Sequence, residues 1–146
     1  LRAQGEHRLG AVQFIDLDNL KAINDSLGHD CGDELLQSVA RCLRASVGPN
    51  DVVGRLGGDE FVTLVAGDVS TAEIASYVAR LERNLAEPMR LGAATIRTQA
   101  SIGVTLVAPE DERTAIEILR DADAAMYATK AKRRRGYGKP PEGGPR

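Results

Sequence analysis

Residues 52–66 read VVGRLGGDEFVTLVA, two short apolar runs on either side of Gly57-Gly58. That pattern predicts a β-hairpin, because glycine accepts the positive φ a tight turn demands. A hairpin in the middle of the chain commits the fold to an antiparallel element. Two carboxylates, Asp59 and Glu60, stand at its tip. Acids are costly to bury unless a cation or a hydrogen-bond donor meets them. What these two face is the question the rest of the chain has to answer.

The flanking segments supply a sheet and its cover. AVQFIDL (11–17) is an apolar run ending in acid and predicts a buried strand. In DNLKAINDSLG (18–28), Leu20, Ile23 and Leu27 have helical spacing, with Asp18 as cap and Gly28 as stop. DCGDELLQSVARCLRASVG (30–48) predicts a second helix with Leu35, Leu36, Val39, Leu43 and Val47 on its apolar face. Asp30 is its candidate cap, and Gly48-Pro49 ends it. STAEIASYVARLERNLAEP (70–88) carries a capping-box pattern at Ser70 and Glu73 and a stripe of Ile74, Val78, Leu81 and Leu85.

ATIRTQASIGVTLVA (94–108) alternates. Ile96, Ala100, Ile102, Val104 and Leu106 face one way and Arg97, Gln99, Ser101 and Thr105 the other, as in a half-exposed strand. A small extra hairpin is expected near residues 89–97. RTAIEILRDADAAMYATKAKR (113–133) predicts the last helix, with Ile116, Leu119, Ala122 and Met126 inward and a second capping box at Thr114 and Glu117. The order β-α-α-β-β-α-β-α is that of an α+β fold, a mainly antiparallel central sheet flanked by helices. Residues 1–136 are expected to form one domain, and the Gly/Pro-rich stretch 137–146 a disordered tail.

Totals exclude several function classes. The 146 residues suit a single domain with a core. A formal net charge of −2 argues against nucleic acid as a partner of the whole surface. No apolar run is long enough to span a bilayer, so no membrane contact is expected from this segment. The chain begins with Leu1 and shows no secretory signal, as expected of a fragment or a processed chain. Cys31 and Cys42, on one predicted helix, would lie roughly 16 Å apart along its axis, too far for a disulfide. Two unpaired thiols fit a reducing, cytoplasmic setting.

Asp16 ends the first strand. If that strand neighbours the hairpin, Asp16 and Asp59 meet at one sheet edge. Two carboxylates held together repel unless a cation lies between them. One or two carboxylates, completed by waters and substrate phosphates, describe a Mg²⁺ site. Gly57 and Gly58 leave room for a ligand to approach the backbone. The helix that opens just after Asp18 offers free N–H groups to phosphate, with Lys21 on its first turn. An anion site beside a cation site suggests a nucleoside triphosphate.

The basic run KAKRRR (130–135) is short and poor in aromatics for a nucleic-acid patch, and by itself reads as a solvated helix end. Lys130 and Arg134 lie four apart on one helix face and would reach the β- and γ-phosphates together. Asn24 and Asp33 lie on the first two helices. A carboxylate accepts guanine's N1–H and N2–H₂ well, although each acid in this region also reads as a helix cap.

The segments FIDLDNLKAINDSLGHDCGDELL, GRLGGDEF, ASIGV and DADAAMYATK together resemble a GGDEF-domain diguanylate cyclase, over about residues 11–135. The resemblance implies a fold like the palm of polymerases and nucleotidyl cyclases. It implies condensation of two GTP into cyclic di-GMP with release of pyrophosphate, Mg²⁺ as cofactor with Mn²⁺ as the alternative, and a homodimer, since each domain holds one GTP. Carried over by position, Asp16, the Leu17 carbonyl and Asp59 bind the metal, and Asp59 is the general base for the 3′-hydroxyl. Glu60 completes the acidic pair. The amides of Asn19 and Leu20 hold phosphate, with Gly57 and Gly58 beside the substrate, and Lys21 stabilises transition-state charge. Asn24 and Asp33 read guanine. Lys130 and Arg134 grip the terminal phosphates. The alternative is a non-catalytic GTP-binding module that regulates a neighbouring domain, such as a cyclic di-GMP phosphodiesterase, in a longer parent chain.

Three departures from the family pattern stand out. The Asp-x-Leu-Thr-x-Leu-x-Asn-Arg segment that usually precedes the first strand is absent. Arg133 and Arg135 stand where the family has Gly and Asn. The product-inhibition motif Arg-x-x-Asp reads GPND, with Asp51 kept and Gly48 in place of the Arg, so tight feedback through that site is not expected.

Overall fold

The computed structural model describes residues 10–138, with side chains through Arg133. In chain order the elements are β1 (Gly10–Leu17), α1 (Leu20–Leu27), α2 (His29–Ser46), β2 (Val52–Gly57), β3 (Glu60–Ala66), α3 (Thr71–Ala86), β4 (Met89–Leu91), β5 (Ala94–Ile96), β6 (Ala100–Val107) and α4 (Ala115–Gly138). Four strands form one sheet in the order β2-β3-β1-β6, every pair antiparallel. The α+β expectation therefore holds.

β1 is a central strand covered on both faces, which is why all eight of its residues are buried, the polar Gln13 and Asp16 included. Successive side chains alternate. Ala11, Ile15 and Leu17 join the larger core cluster with Leu35, Val39 and Leu43 of α2 and Leu81 and Leu85 of α3. Val12 and Phe14 join the smaller cluster with Ala122 and Met126 of α4. The sheet thus has α1–α3 on one side and α4 on the other.

Several sequence expectations need correcting. Residues 94–108 are not one half-exposed strand. β5 pairs with β4 in the small separate hairpin, residues 97–99 are irregular, and β6 begins at Ala100. Ser101 is fully buried, because β6 has helices against both faces. At Gly103 an added Cβ would collide with the backbone of Ala122, Ala125 and Met126, so α4 rests directly on the strand. On α3, Tyr77 is buried and Val78 only partly so. On α4, Ile116 is 62% exposed, and the stripe that meets the smaller core cluster starts with Ile118 and Leu119.

Both capping boxes form. Ser70 N–H donates to Glu73 Oε1 at 2.8 Å and Glu73 N–H to Ser70 Oγ at 3.1 Å; Thr114 and Glu117 repeat the exchange at 2.8 and 3.1 Å. Asp18 and Asp30 do not cap. The N-cap of α1 is Asn19, and that of α2 is Gly28, whose φ of 92° lets one residue join the two helices. Asp30 lies instead in the first turn of α2, where its charge opposes the helix dipole. Cys31 and Cys42, both on α2, are free thiols. α4 continues through residues 137–138, the first two of the stretch whose composition reads as a tail; residues 139–146 lie outside the described ones.

Candidate active site

The acids converge at the end of β1. Asp16 stands opposite Glu60 in the β1–β3 ladder, and the Leu17 amide donates to the Asp59 carbonyl at 3.1 Å. The hairpin turn that carries Asp59 uses positive φ at Gly57 (148°) and Gly58 (48°), as its sequence requires. Arg55 braces the turn, donating from Nε and Nη2 to the Gly58 carbonyl at 3.2 and 2.8 Å.

Electrostatics at this edge are unfavourable for the acids alone. Burial raises the Asp16 pKa above the usual carboxylate value, the bond from Lys130 pulls against that, and the nearby Asp59 charge pushes it up again. Glu60 is raised by burial and then by the charges of Asp16, Asp123 and Asp59. Asp16 is 7% exposed. Its Oδ2 accepts from Lys130 Nζ at 2.5 Å, and its buried Oδ1 has no hydrogen-bond partner among the described residues. A buried carboxylate oxygen without a donor, faced by other carboxylates, fits a divalent cation. No group of three or more His, Cys, Asp or Glu side chains among the described residues is placed to hold a metal ion. A divalent cation here would need carbonyl, water or substrate oxygens as well.

The turn between β1 and α1 is held from the other side by the approach to β6. Asp18 N–H donates to the Gln99 carbonyl at 2.8 Å, and Ser101 Oγ donates to Asp18 Oδ1 at 2.9 Å. Thr98 Oγ1 donates to Asn19 Oδ1 at 2.9 Å, and Asn19 Nδ2 to the Arg97 carbonyl at 3.1 Å. Asn19 and Leu20 open α1, where N–H groups lack intrahelical acceptors.

The remaining predicted residues are placed as follows. Lys21 is 90% exposed and pairs with Asp25 at 3.2 Å, on α1 rather than at the acids. The Asn24 Oδ1 is buried without a partner among the described residues, hard against Gly32 of α2, where an added Cβ would strike it. Asp33 is exposed and lines a cleft of about 380 Å³ with Gln37, Arg44, Arg55 and Phe61. Lys130 sits at Asp16. Arg134 continues α4, and its side chain lies outside the described ones. Asp51 accepts from the amides of Gly48 (2.8 Å) and Ala66 (3.1 Å), which builds the turn between α2 and β2.

Sequence reasoning passed over Asp123 and noted Arg133 only as a departure from the family pattern. The signal was available for both: Asp123 is seven residues before Lys130 and Arg133 three after it, so all three share a face of α4.

A family model described as "Diguanylate cyclase, GGDEF domain" matches residues 1–136. The chain belongs to the GGDEF family. Three similar proteins come from Pseudomonas aeruginosa. The bifunctional diguanylate cyclase/cyclic di-GMP phosphodiesterase MucR is 42% identical over 132 residues, covering 90% of this chain and 19% of the relative. The diguanylate cyclase TpbB is 41% identical over 136 residues, covering 92% of this chain and 31% of the relative. The cyclic di-GMP phosphodiesterase NbdA is 42% identical over 122 residues, covering 83% and 15%.

The crystal structure of the TpbB GGDEF domain superposes with a TM-score of 0.80 at 39% identity, covering 88% of this chain and 79% of that one. This GGDEF domain thus spans less than a third of the length of these curated relatives, which are signalling proteins of the cyclic di-GMP system. No helix among its described residues is long and apolar enough to cross a membrane.

Proposed function

We propose that this GGDEF domain is a working diguanylate cyclase, which condenses two GTP into cyclic di-GMP and releases pyrophosphate. The observation that carries the proposal is the convergence of Asp16, Asp59 and Glu60 beside the start of α1, with a buried Asp16 oxygen left without a donor. Each site would take one GTP. Asn24 and Asp33 accept the guanine donors. The Asn19 and Leu20 amides receive phosphate, and Lys21, Lys130 and Arg134 balance charge on the leaving pyrophosphate.

Asp59 takes the proton of the attacking 3′-hydroxyl at its carboxylate. That oxygen bonds to the α-phosphorus of the other GTP as the α–β bridge breaks, and a second such step closes the ring. Asp16, Asp59 and the Leu17 carbonyl would hold Mg²⁺, or Mn²⁺ in its place, which neutralises developing charge and lowers the pKa of the hydroxyl. Because each domain binds one GTP, a homodimer with facing sites is the active unit. Intact signature acids support catalysis over a purely regulatory role, and a nucleotide substrate with two unpaired cysteines supports a cytoplasmic setting.

One observation favours a second reading. A relative named as a phosphodiesterase carries this same domain at 42% identity, so the chain would instead bind GTP and regulate an attached phosphodiesterase domain. Incubation with GTP and Mg²⁺, followed by chromatography for pyrophosphate and cyclic di-GMP, separates the two. Cyclic di-GMP with two equivalents of pyrophosphate is expected. GTP bound without turnover, or cleaved to GDP, overturns the cyclase reading.

A further inference from the structure

Lys130 and Arg133 sit three residues apart on one face of α4. Their targets are the two acids that flank Leu17. Lys130 Nζ donates to Asp16 Oδ2 at 2.5 Å, and Arg133 Nη1 to Asp18 Oδ2 at 3.0 Å. Arg133 Nη1 also donates to the Ala100 carbonyl at 2.6 Å, and its Nη2 lies 3.8 Å from Glu82 Oε2. The other Asp18 oxygen is held by Ser101. One guanidinium therefore ties the end of α4 to both the β1–α1 turn and the first residue of β6. With side-chain exposures of 23% and 16%, the Arg133–Asp18 pair is shielded enough for its charge to count for more than in a surface pair.

The two cations are not equivalent. Lys130 presents a compact ammonium, while Arg133 presents a planar guanidinium whose Nη1 donates to a carboxylate and a carbonyl at once. Under the proposed function Lys130 must leave Asp16 to meet the terminal phosphates, which releases one of the two ties between α4 and the β1–α1 turn. The other tie, Arg133 to Asp18, involves no side chain assigned to the nucleotide.

We propose that Arg133 is a positioning residue: its bonds to Asp18 and the Ala100 carbonyl hold the Asp18–Asn19 turn so that the Asn19 and Leu20 amides face phosphate, and keep α4 seated while Lys130 changes partner. The inference rests on the reading of this site as a GTP site. It also assigns a task to the arginine that stands where the family pattern has glycine.

The test compares wild type with Arg133→Ala, Arg133→Lys and Asp18→Asn. Binding of α,β-methylene GTP with Mg²⁺ is measured by calorimetry, backbone hydrogen exchange over residues 17–24 on the free protein, and folding by circular dichroism. Arg133→Ala should bind about tenfold more weakly, the scale of one charge-assisted hydrogen bond. Exchange at Asn19 and Leu20 should rise, with helix content retained. In turnover, KM should rise more than kcat falls. Asp18→Asn, which keeps the Ser101 contact and is nearly isosteric, should shift the same way by less. Arg133→Lys should recover part of the loss, because an ammonium keeps the charge and the donors but not the guanidinium's planar, fixed geometry.

Wild-type affinity and exchange in Arg133→Ala would overturn the inference, as would a lowered melting temperature with affinity unchanged. No nucleotide binding by the wild type would instead overturn the GTP reading, and the exchange measurement would still decide whether Arg133 holds the turn.

Discussion

Asp16 and Glu60 are cross-strand partners in the β1–β3 ladder, two acids directly opposite each other at the end of a sheet. Like charges so placed destabilise a ladder. Asp123 adds a third negative charge near Glu60, and Lys130 is the cation that meets Asp16. An arrangement that costs stability in the free protein is the kind a bound cation repays.

Asp59→Asn should cut cyclic di-GMP synthesis by about a hundredfold or more, the usual scale for loss of a general base. The fold should survive, because Asp59 lies in a turn rather than in the core. Initial rates at saturating Mg²⁺, with a melting curve on the same sample, check both halves. Unchanged turnover would remove Asp59 from the chemistry.

Asp33→Ala should weaken discrimination of GTP over ATP. Guanine donors left without an acceptor cost about 1–3 kcal/mol, roughly a tenfold or larger fall in the affinity ratio. Paired titrations with the two nucleotides measure it. A ratio equal to that of wild type would leave Asp33 as an ordinary surface acid of α2.

Gly103→Ala should destabilise the domain by about 3 kcal/mol or more, beyond the usual overpacking cost, because the obstacle is helix backbone rather than a movable side chain. Urea unfolding reads the change. The neighbouring Val104→Ala, at a partly buried position, should cost less.

Acid stability should depend on Asp111. Hydrogen bonds from the Arg113 side chain and backbone hold its carboxyl well below the usual carboxylate range. A depressed folded-state pKa adds stability that is complete above the ordinary carboxylate pKa and is lost as pH falls from there through the folded value. The difference in unfolding free energy between wild type and Asp111→Asn should therefore be constant near neutrality and shrink below about pH 4. A gap that widens on acidification would contradict the pairing.

Local signals in the chain were enough for most of the elements and for the family motif. Glycines at the turn, capping boxes at Ser70 and Thr114, and apolar periodicity act over a few residues and need no knowledge of the rest. They determined the hairpin, the four helices and the family motif. What the sequence alone could not decide was contact between distant segments. Asp18 and Asp30 have the chemistry of caps, yet Asp18 is claimed by Ser101 and Arg133, residues 83 and 115 positions away, and Gly28 leaves Asp30 inside its helix.

Ser101 looked exposed because alternation reports two faces of a strand without saying what covers them, and α4 covers the second. Asp16, Asp59 and Lys130 are each legible as charges. Only the antiparallel register of β1 with β3, and the seating of α4 on Gly103, brings them to one edge. The physical reason is that propensity and capping are energies of neighbours in sequence, whereas burial and charge pairing are energies of neighbours in space.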